Sequence, residues 1–184
     1  MKLVSSNQNK IKEFKRILDT NLEIEEGKDL PEVDSNMDDV IIHKAKDAGP
    51  GYIVEDTILK LDGVEVVDIR WNDSYKNSNI KVATWIVSIG YNDGHDISIY
   101  RGIINGIVVK KNGISDFGFD PYFLPDGADL TLSQLEDIGS KDNFSARVQA
   151  LINLNKNRPE KVISISDIKP WNGTYQHWIP LLGF

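Results

Sequence analysis

The chain has 184 residues, 28 of them acidic against 21 basic, for a formal net charge of −7; it has three histidines and no cysteine. That length suits one domain of about 100–200 residues, with no need of a disulfide or structural metal to fold. The lack of cysteine excludes disulfide frameworks, cysteine-ligated metal centres and thiol nucleophiles, and the acidic balance argues against a broad nucleic-acid surface.

His43, His95 and His177 lie too far apart for a histidine metal motif. No apolar run approaches the roughly 20 residues that span a bilayer, and the start has no signal-peptide stretch. The expectation is a cytoplasmic protein with neither a membrane nor a nucleic-acid partner.

In chain order, Lys2-Leu3-Val4 reads as a strand edge and residues 5–9 as a polar turn. Ile11, Phe14, Ile17 and Leu18 then repeat at helical spacing, with an end near Asn21. Ser35 or Asn36 caps a second helix running to about Ala48, whose faces are set by Val40, Ile41, Lys44, Ala45 and Ala48. Tyr52-Ile53-Val54 is a strand leading into Glu55-Asp56-Thr57. Residues 58–61 and 64–69 read as two strands turned at Asp62-Gly63, a favoured hairpin pair. Residues 82–91 form a strong strand and 96–101 return from it. Residues 102–106, bounded by glycines, read as a break before a strand at 107–109. A last helix covers about 143–155, residues 162–165 form a strand, and Trp171, Trp178, Pro180 and Phe184 suggest a tail packed on the body. The mixture is α/β or α+β.

Four constellations can carry chemistry. The loop from Ser5 to Lys10 lies at a strand–helix junction, where N–H groups and the helix dipole favour phosphate; it could equally be a capped turn with a solvated lysine. Glu55 and Asp56 end an apolar strand, and adjacent carboxylates there suit magnesium or a proton taken from water. Asp38 and Asp39 could add a carboxylate, or could complement the helix dipole. Phe117-Gly118-Phe119-Asp120-Pro121 offers rings to stack on a base, or an aromatic core cluster. Lys141, Ser145 and Arg147 at the start of the last helix offer an anion site, or surface charge.

These pieces, in this order, resemble the inosine triphosphate pyrophosphatase family. Ser5-Ser6-Asn7-Gln8-Asn9-Lys10 followed by Lys12-Glu13-Phe14 is similar to its T/S-x-N-x-x-K phosphate loop and first helix. Val54-Glu55-Asp56-Thr57 is similar to its acidic metal motif, and residues 116–123 with Pro125-Asp126-Gly127 to its F-G-[WYF]-D-P-x-F segment. Lys141 and Ser145-Ala146-Arg147 with Ala150-Leu151 resemble its K-x-x-x-S-H-R-x-x-A-L ending.

The resemblance covers about residues 2–155. It implies an α/β fold of two lobes, with an elongated mixed β-sheet flanked by helices and the site in the cleft between lobes. Residues 1–184 would form one such domain, with about 156–184 an extension the family lacks. The implied reaction turns a nucleoside triphosphate and water into the monophosphate and pyrophosphate, most readily on 6-oxo purines. A weakened nucleotide-binding protein and a related pyrophosphatase for pyrimidine or modified nucleotides stay open as alternatives.

By resemblance, Ser5, Asn7 and Lys10 hold the phosphates and Thr57 touches them. Asp56 handles the attacking water, with Glu55 beside it. Asp39 and Asp56 hold Mg2+. Phe117, Gly118 and Phe119 lie by the base with Asp120 at its edge, and Lys141, Ser145 and Arg147 reach the nucleotide, Arg147 near the purine 6-oxo group.

The sequence also departs from the family. Ala146 replaces a histidine, removing a polar contact beside the base. Asp39 is one methylene shorter than the usual Glu. Arg70 stands for the family's Lys in an Ile-Lys-Trp form. Only about ten residues, 72–81, stand where the family has a long helix that covers the cleft and often contributes to dimerisation; a homodimer is still expected. The tail could cover what that helix leaves open.

Overall fold

In the computed structural model, residues 1–18, 23–25, 30–69, 72–77, 79–115 and 117–176 are described. Among them the order is β1 (Lys2–Val4), α1 (Gln8–Leu18), β2 (Glu23–Glu25), α2 (Met37–Ala48), β3 (Tyr52–Leu61), β4 (Val64–Val66), β5 (Val82–Asn92), β6 (Asp96–Val108), β7 (Phe123–Pro125), α3 (Leu132–Asp137), α4 (Ala146–Asn155) and β8 (Lys161–Ser164). The strands make one mixed sheet in the order β2-β1-β3-β5-β6-β7, with β4 on β3 and β8 on β6. β1 runs parallel to β2 and β3, and the long β3, β5 and β6 are antiparallel.

The period-2 alternation of the long strands sorts their side chains into two cores. Ile53, Leu59, Trp85, Val87 and Ile89 point to the face covered by α1 and α4. Val54, Ile97 and Ile99 point to the face covered by α2. Asn36 starts α2, its Oδ1 accepting the N–H groups of Asp38 and Asp39 at 3.0 and 3.1 Å. The helix then buries Val40, Ile41 and Ile42. Each is worth roughly 1.5–3 kcal/mol, so packing rather than intrinsic propensity holds a helix this short. The turn at Asp62-Gly63 has φ of 46° and 89°, as a tight hairpin requires.

Three expectations are corrected. Residues 58–61 are not a separate strand but continue β3. Residues 102–106 do not break the chain: β6 runs through them without interruption. Gly102 is there because α4 lies against the strand, and a Cβ on it would stand 1.8 Å from the Ala146 carbonyl oxygen. Between β8 and β7, which pair with the two ends of β6, the exposed edge is served by α4. Gln149 Oε1 accepts the Ile103 N–H at 3.1 Å, and Asn153 Nδ2 donates to the Arg101 carbonyl at 2.9 Å.

The third concerns the tail. Residues 72–77 carry one short turn, Ser74–Lys76, whose Tyr75 packs edge-on to Phe119 and Tyr122 on the α4 face. The tail lies on the other face, with Ile163, Ile165 and Ile168 against the α2 core. As far as residue 176, the described part of the tail packs on that face rather than over residues 72–77. It reaches residues 32–34, where Tyr175 bridges Val33. Trp178, Pro180 and Phe184 fall outside the described residues.

Candidate active site

A cavity of ≈ 400 Å³ opens where β1 passes into α1, with the middle of β3 as its floor. That volume suits a small-molecule site. Ser5, Asn7 and Lys10 line one wall. Asn7 caps the helix: its Oδ1 accepts the N–H groups of Asn9 at 3.0 Å and Lys10 at 3.2 Å, and its own N–H donates to Ser5 Oγ at 3.2 Å. The Lys10 ammonium turns inward, 2.8 Å from Glu55 Oε2.

Glu55 and Asp56 are neighbours in a strand, so they leave it on opposite faces. Glu55 points to α1 and α4. Thr57 Oγ1 donates to its Oε1 at 2.6 Å and the Arg147 guanidinium lies 3.3 Å away. Burial works against its charge, but Lys10 and Arg147 outweigh burial and hold the carboxyl down at about 2. Asp56 points to α2. Burial pushes its carboxyl up to about 6; Lys44 opposes this and the nearby Glu32 reinforces it.

Lys44 joins the two acids. Its ammonium is bonded to Glu32, lies 3.7 Å from Asp56 Oδ1 and donates to the Glu55 carbonyl at 3.1 Å. Two carboxylates, Glu32 and Asp56, thus meet at Lys44 in the cleft wall. Hard oxygen donors with excess negative charge are what a magnesium ion takes, usually one or two carboxylates with the rest of its shell from water and phosphate. Among the described residues no cluster of three or more such ligands exists; Glu32 and Asp56 are the two that would hold such an ion, with water completing its shell.

On the opposite side a chain of alternating charges leads away from Glu55. Arg147, nearly fully buried, binds Glu55, Thr57 and Glu13. Lys141 binds Glu13 at 3.2 Å and Asp120 at 2.6 Å, and sits 5.3 Å over the Phe117 ring. Arg147 Nε, buried, has no hydrogen-bond partner among the described residues. Phe119 meets Trp85 and Phe123 edge-on at 5.7 and 5.9 Å. Gly118, at φ 55°, makes the left-handed turn between the two phenylalanines.

The structure brings together Ser5, Asn7, Lys10, Glu55, Asp56, Thr57, Phe117, Gly118, Phe119, Asp120 and Arg147 around one cleft. It places three expected residues elsewhere. Asp39 is not on the cleft wall; its Oδ2 accepts from Ser35 Oγ at 2.6 Å and Asn36 Nδ2 at 2.9 Å, closing the start of α2. The carboxylate that shares Lys44 with Asp56 is Glu32. Ser145 caps α4, accepting the Val148 N–H at 3.3 Å, and Ala146 beside it is fully buried in the core. Lys141 faces a neighbouring cavity of ≈ 320 Å³, divided from the cleft by Phe117 and Asp120, which line both. Arg70 lies outside the described residues.

Glu32, Lys44, Tyr75 and Gln176 also line the cleft. Lys44 had a signal: it is a charge on the apolar stripe of its helix. Glu13 had a weaker one, being three residues after Lys10 and so on the same helical face. Nothing in the sequence around Glu32 or Gln176 marks either of them.

The Ham1 family model matches residues 1–157. The inosine triphosphate pyrophosphatase of Scheffersomyces stipitis is 30% identical over 179 residues, covering 80% of this chain and 92% of that protein. That of Aspergillus oryzae is 28% identical over 170 residues, covering 82% and 88%. The solved Ham1 protein of Staphylococcus aureus superimposes with a TM-score of 0.66 at 21% identity, over 85% of this chain and 97% of that one, a likeness of fold.

Proposed function

Because this chain belongs to the Ham1 family, we propose that its cleft hydrolyses purine nucleoside triphosphates to the monophosphate and pyrophosphate, with 6-oxo purines preferred. The observation that carries the reading is the meeting of Lys10, Asp56 and Arg147 around one cavity: a cation for phosphates, a base for water and a buried donor for a nucleobase.

The triphosphate lies along the start of α1, where Lys10 and the helix dipole meet its charge. Glu32 and Asp56 would hold a magnesium ion there. Such an ion, when bound, neutralises charge on the phosphate oxygens that develops as the α-phosphorus is attacked. Asp56, in the same cleft wall, takes a proton from the attacking water. Glu55 stays ionised and fixes Lys10 and Arg147 in place.

The base rests against the Phe117 and Phe119 side of the cleft. Arg147, which lines the cleft, meets the 6-oxo group of hypoxanthine, xanthine or guanine. Adenine presents an amino donor there and leaves the arginine donor unpaired, which a buried site penalises strongly.

Pyrophosphate release is the test, on inosine, xanthosine, guanosine, adenosine and pyrimidine triphosphates and their deoxy forms, with magnesium. Inosine and xanthosine triphosphates should exceed adenosine triphosphate by at least about tenfold, and Arg147→Lys, which keeps the charge but loses the fork, should flatten that preference. Binding without release from any nucleotide would leave the weakened binding protein; preference for pyrimidines would leave the related pyrophosphatase.

Among the described residues no helix is long and apolar enough to cross a membrane, and a cytoplasmic location belongs to the proposal. So does a homodimer. Val82, Ile103 and Ile107 are exposed on the part of the α2 face that α2 leaves bare, and light scattering reads the assembly.

A further inference from the structure

The tail enters the cleft at Gln176, nineteen positions or so beyond the last residue that the family model matches. Residues 174–176 lie antiparallel to 32–34 and are bonded to them at every step. The Asp34 N–H donates to the Thr174 carbonyl at 2.9 Å and the Gln176 N–H to the Glu32 carbonyl at 2.8 Å. Gln176 Nε2 donates to the Val33 carbonyl at 3.0 Å, and Thr174 Oγ1 to Asp34 Oδ2 at 3.3 Å. The Nε2 bond fixes the amide's orientation. It leaves Oε1 buried in the cleft wall with no hydrogen-bond partner among the described residues.

The strand so clasped is the one that carries Glu32. Leu30 and Val33 of the same segment are buried against the body and Glu32 reaches Lys44, while the backbone of residues 32–34 bonds to the tail. We propose that the C-terminal extension, through Gln176, is a positioning element of this active site, holding Glu32 at the distance from Lys44 and Asp56 at which the pair can take a divalent cation. This rests on the reading of Glu32 and Asp56 given above. The unpaired Oε1 fits the same role. An acceptor there repels phosphate oxygens and welcomes donors such as water, so it favours the cation's side of the cleft over the anion's.

Groups that orient metal ligands typically govern affinity by about 10–100-fold when removed. The test is calorimetric titration of the full chain with Mn2+ in the absence of nucleotide, for wild type, Gln176→Leu and Gln176→Ala. Both variants should bind Mn2+ about tenfold more weakly. Their half-saturating magnesium in pyrophosphate release should rise in parallel, with kcat at saturating metal and nucleotide within about twofold of wild type. Melting temperatures without metal should fall by no more than about 4 °C, as expected for one lost hydrogen bond in a chain of this size. Mn2+ affinity within twofold of wild type in both variants would overturn the proposal and reduce the tail to surface packing. A wild type that bound Mn2+ but released pyrophosphate from no nucleotide would instead overturn the functional reading, leaving the titration to judge the clasp alone.

Discussion

Asp56 is held between burial, which disfavours its charge, and Lys44, which favours it, and burial prevails. The consequence for stability has a definite sign. A carboxyl raised from its ordinary value to about 6 stabilises the fold while protonated, at pH below its unfolded value, and loses that contribution as pH rises through 6. A shift of this size corresponds to a penalty on the order of 2–3 kcal/mol on the metal-free protein at neutral pH. Asp56→Asn removes the charge. It should cost at least about 100-fold in kcat, since a general base contributes 10²–10⁴-fold, while nucleotide binding persists. In chelator it should also melt higher than wild type at pH 7.5, with the difference shrinking toward pH 5. Turnover within twofold of wild type would refute the role of Asp56, and a pH-independent melting difference would refute the burial argument. Glu55, one residue earlier, behaves oppositely because Lys10 and Arg147 surround it on the other face of the sheet. The sequence made both acids legible as candidates, but not this division of labour, which comes from the alternation of a strand between two different helices.

At the level of elements, legibility followed whether the cause of a structure was local. The helices α1 and α2 were readable because their apolar residues repeat with the helical period, and the strand β5 because it is a run rich in β-branched and aromatic residues. The glycines of β6 misled because their cause is tertiary. Gly102 admits the backbone of α4, and nothing within its own segment reveals that. Glu32 was missed for a similar reason: its place is set by Lys44 from α2 and by a tail more than 140 residues away in sequence. Asp39, which lies at a helix start, was plausible as a ligand and is consumed by the capping network instead. The β6–α4 contact supplies its own test. In Gly102→Ala the new Cβ meets the Ala146 carbonyl at 1.8 Å and the Ala150 nitrogen at 2.7 Å, both backbone atoms that cannot rotate away. The helix must retreat, taking Arg147 with it. Overpacking of this kind costs about 1–3 kcal/mol or more, which urea unfolding will read. Because α4 carries the base-recognising arginine, the preference for inosine over adenosine triphosphate should also weaken. A variant of unchanged stability would mean that α4 does not lie this close to the strand.

Across the whole molecule, the sheet separates two kinds of support for one cleft. The α4 face supplies the aromatic floor and the ionic chain from Glu55 to Asp120, within the part of the chain that the family model matches. The α2 face is finished by residues beyond that match. There, β8 pairs with Asp96–Ile99 of β6, Glu160 joins Arg101, Lys161 joins Asp38 at 2.9 Å, and Lys46 donates to the Ile168 carbonyl at 3.0 Å. Arg101 is buried, and removing Glu160 leaves it with Asp38 and Ser88 as its side-chain partners. Deleting residues 158–184 would therefore strip one strand from the sheet, uncover Ile97 and Ile99 and loosen a buried charge together. The half-exposed Glu160 and Lys161 contribute little by themselves; the lost strand and the uncovered Ile97 and Ile99 carry the penalty, at roughly 1.5–3 kcal/mol per buried side chain against a marginal total stability. The deleted chain should be insoluble or melt at least 10 °C lower. Deleting residues 171–184 keeps β8 and the Arg101 network but removes the clasp on Glu32. That shorter deletion should fold and still bind nucleotide, yet need more magnesium for turnover. If both deletions lost stability equally, the tail would act as one block, and the separation between a strand that completes the sheet and a clasp that completes the cleft would be wrong.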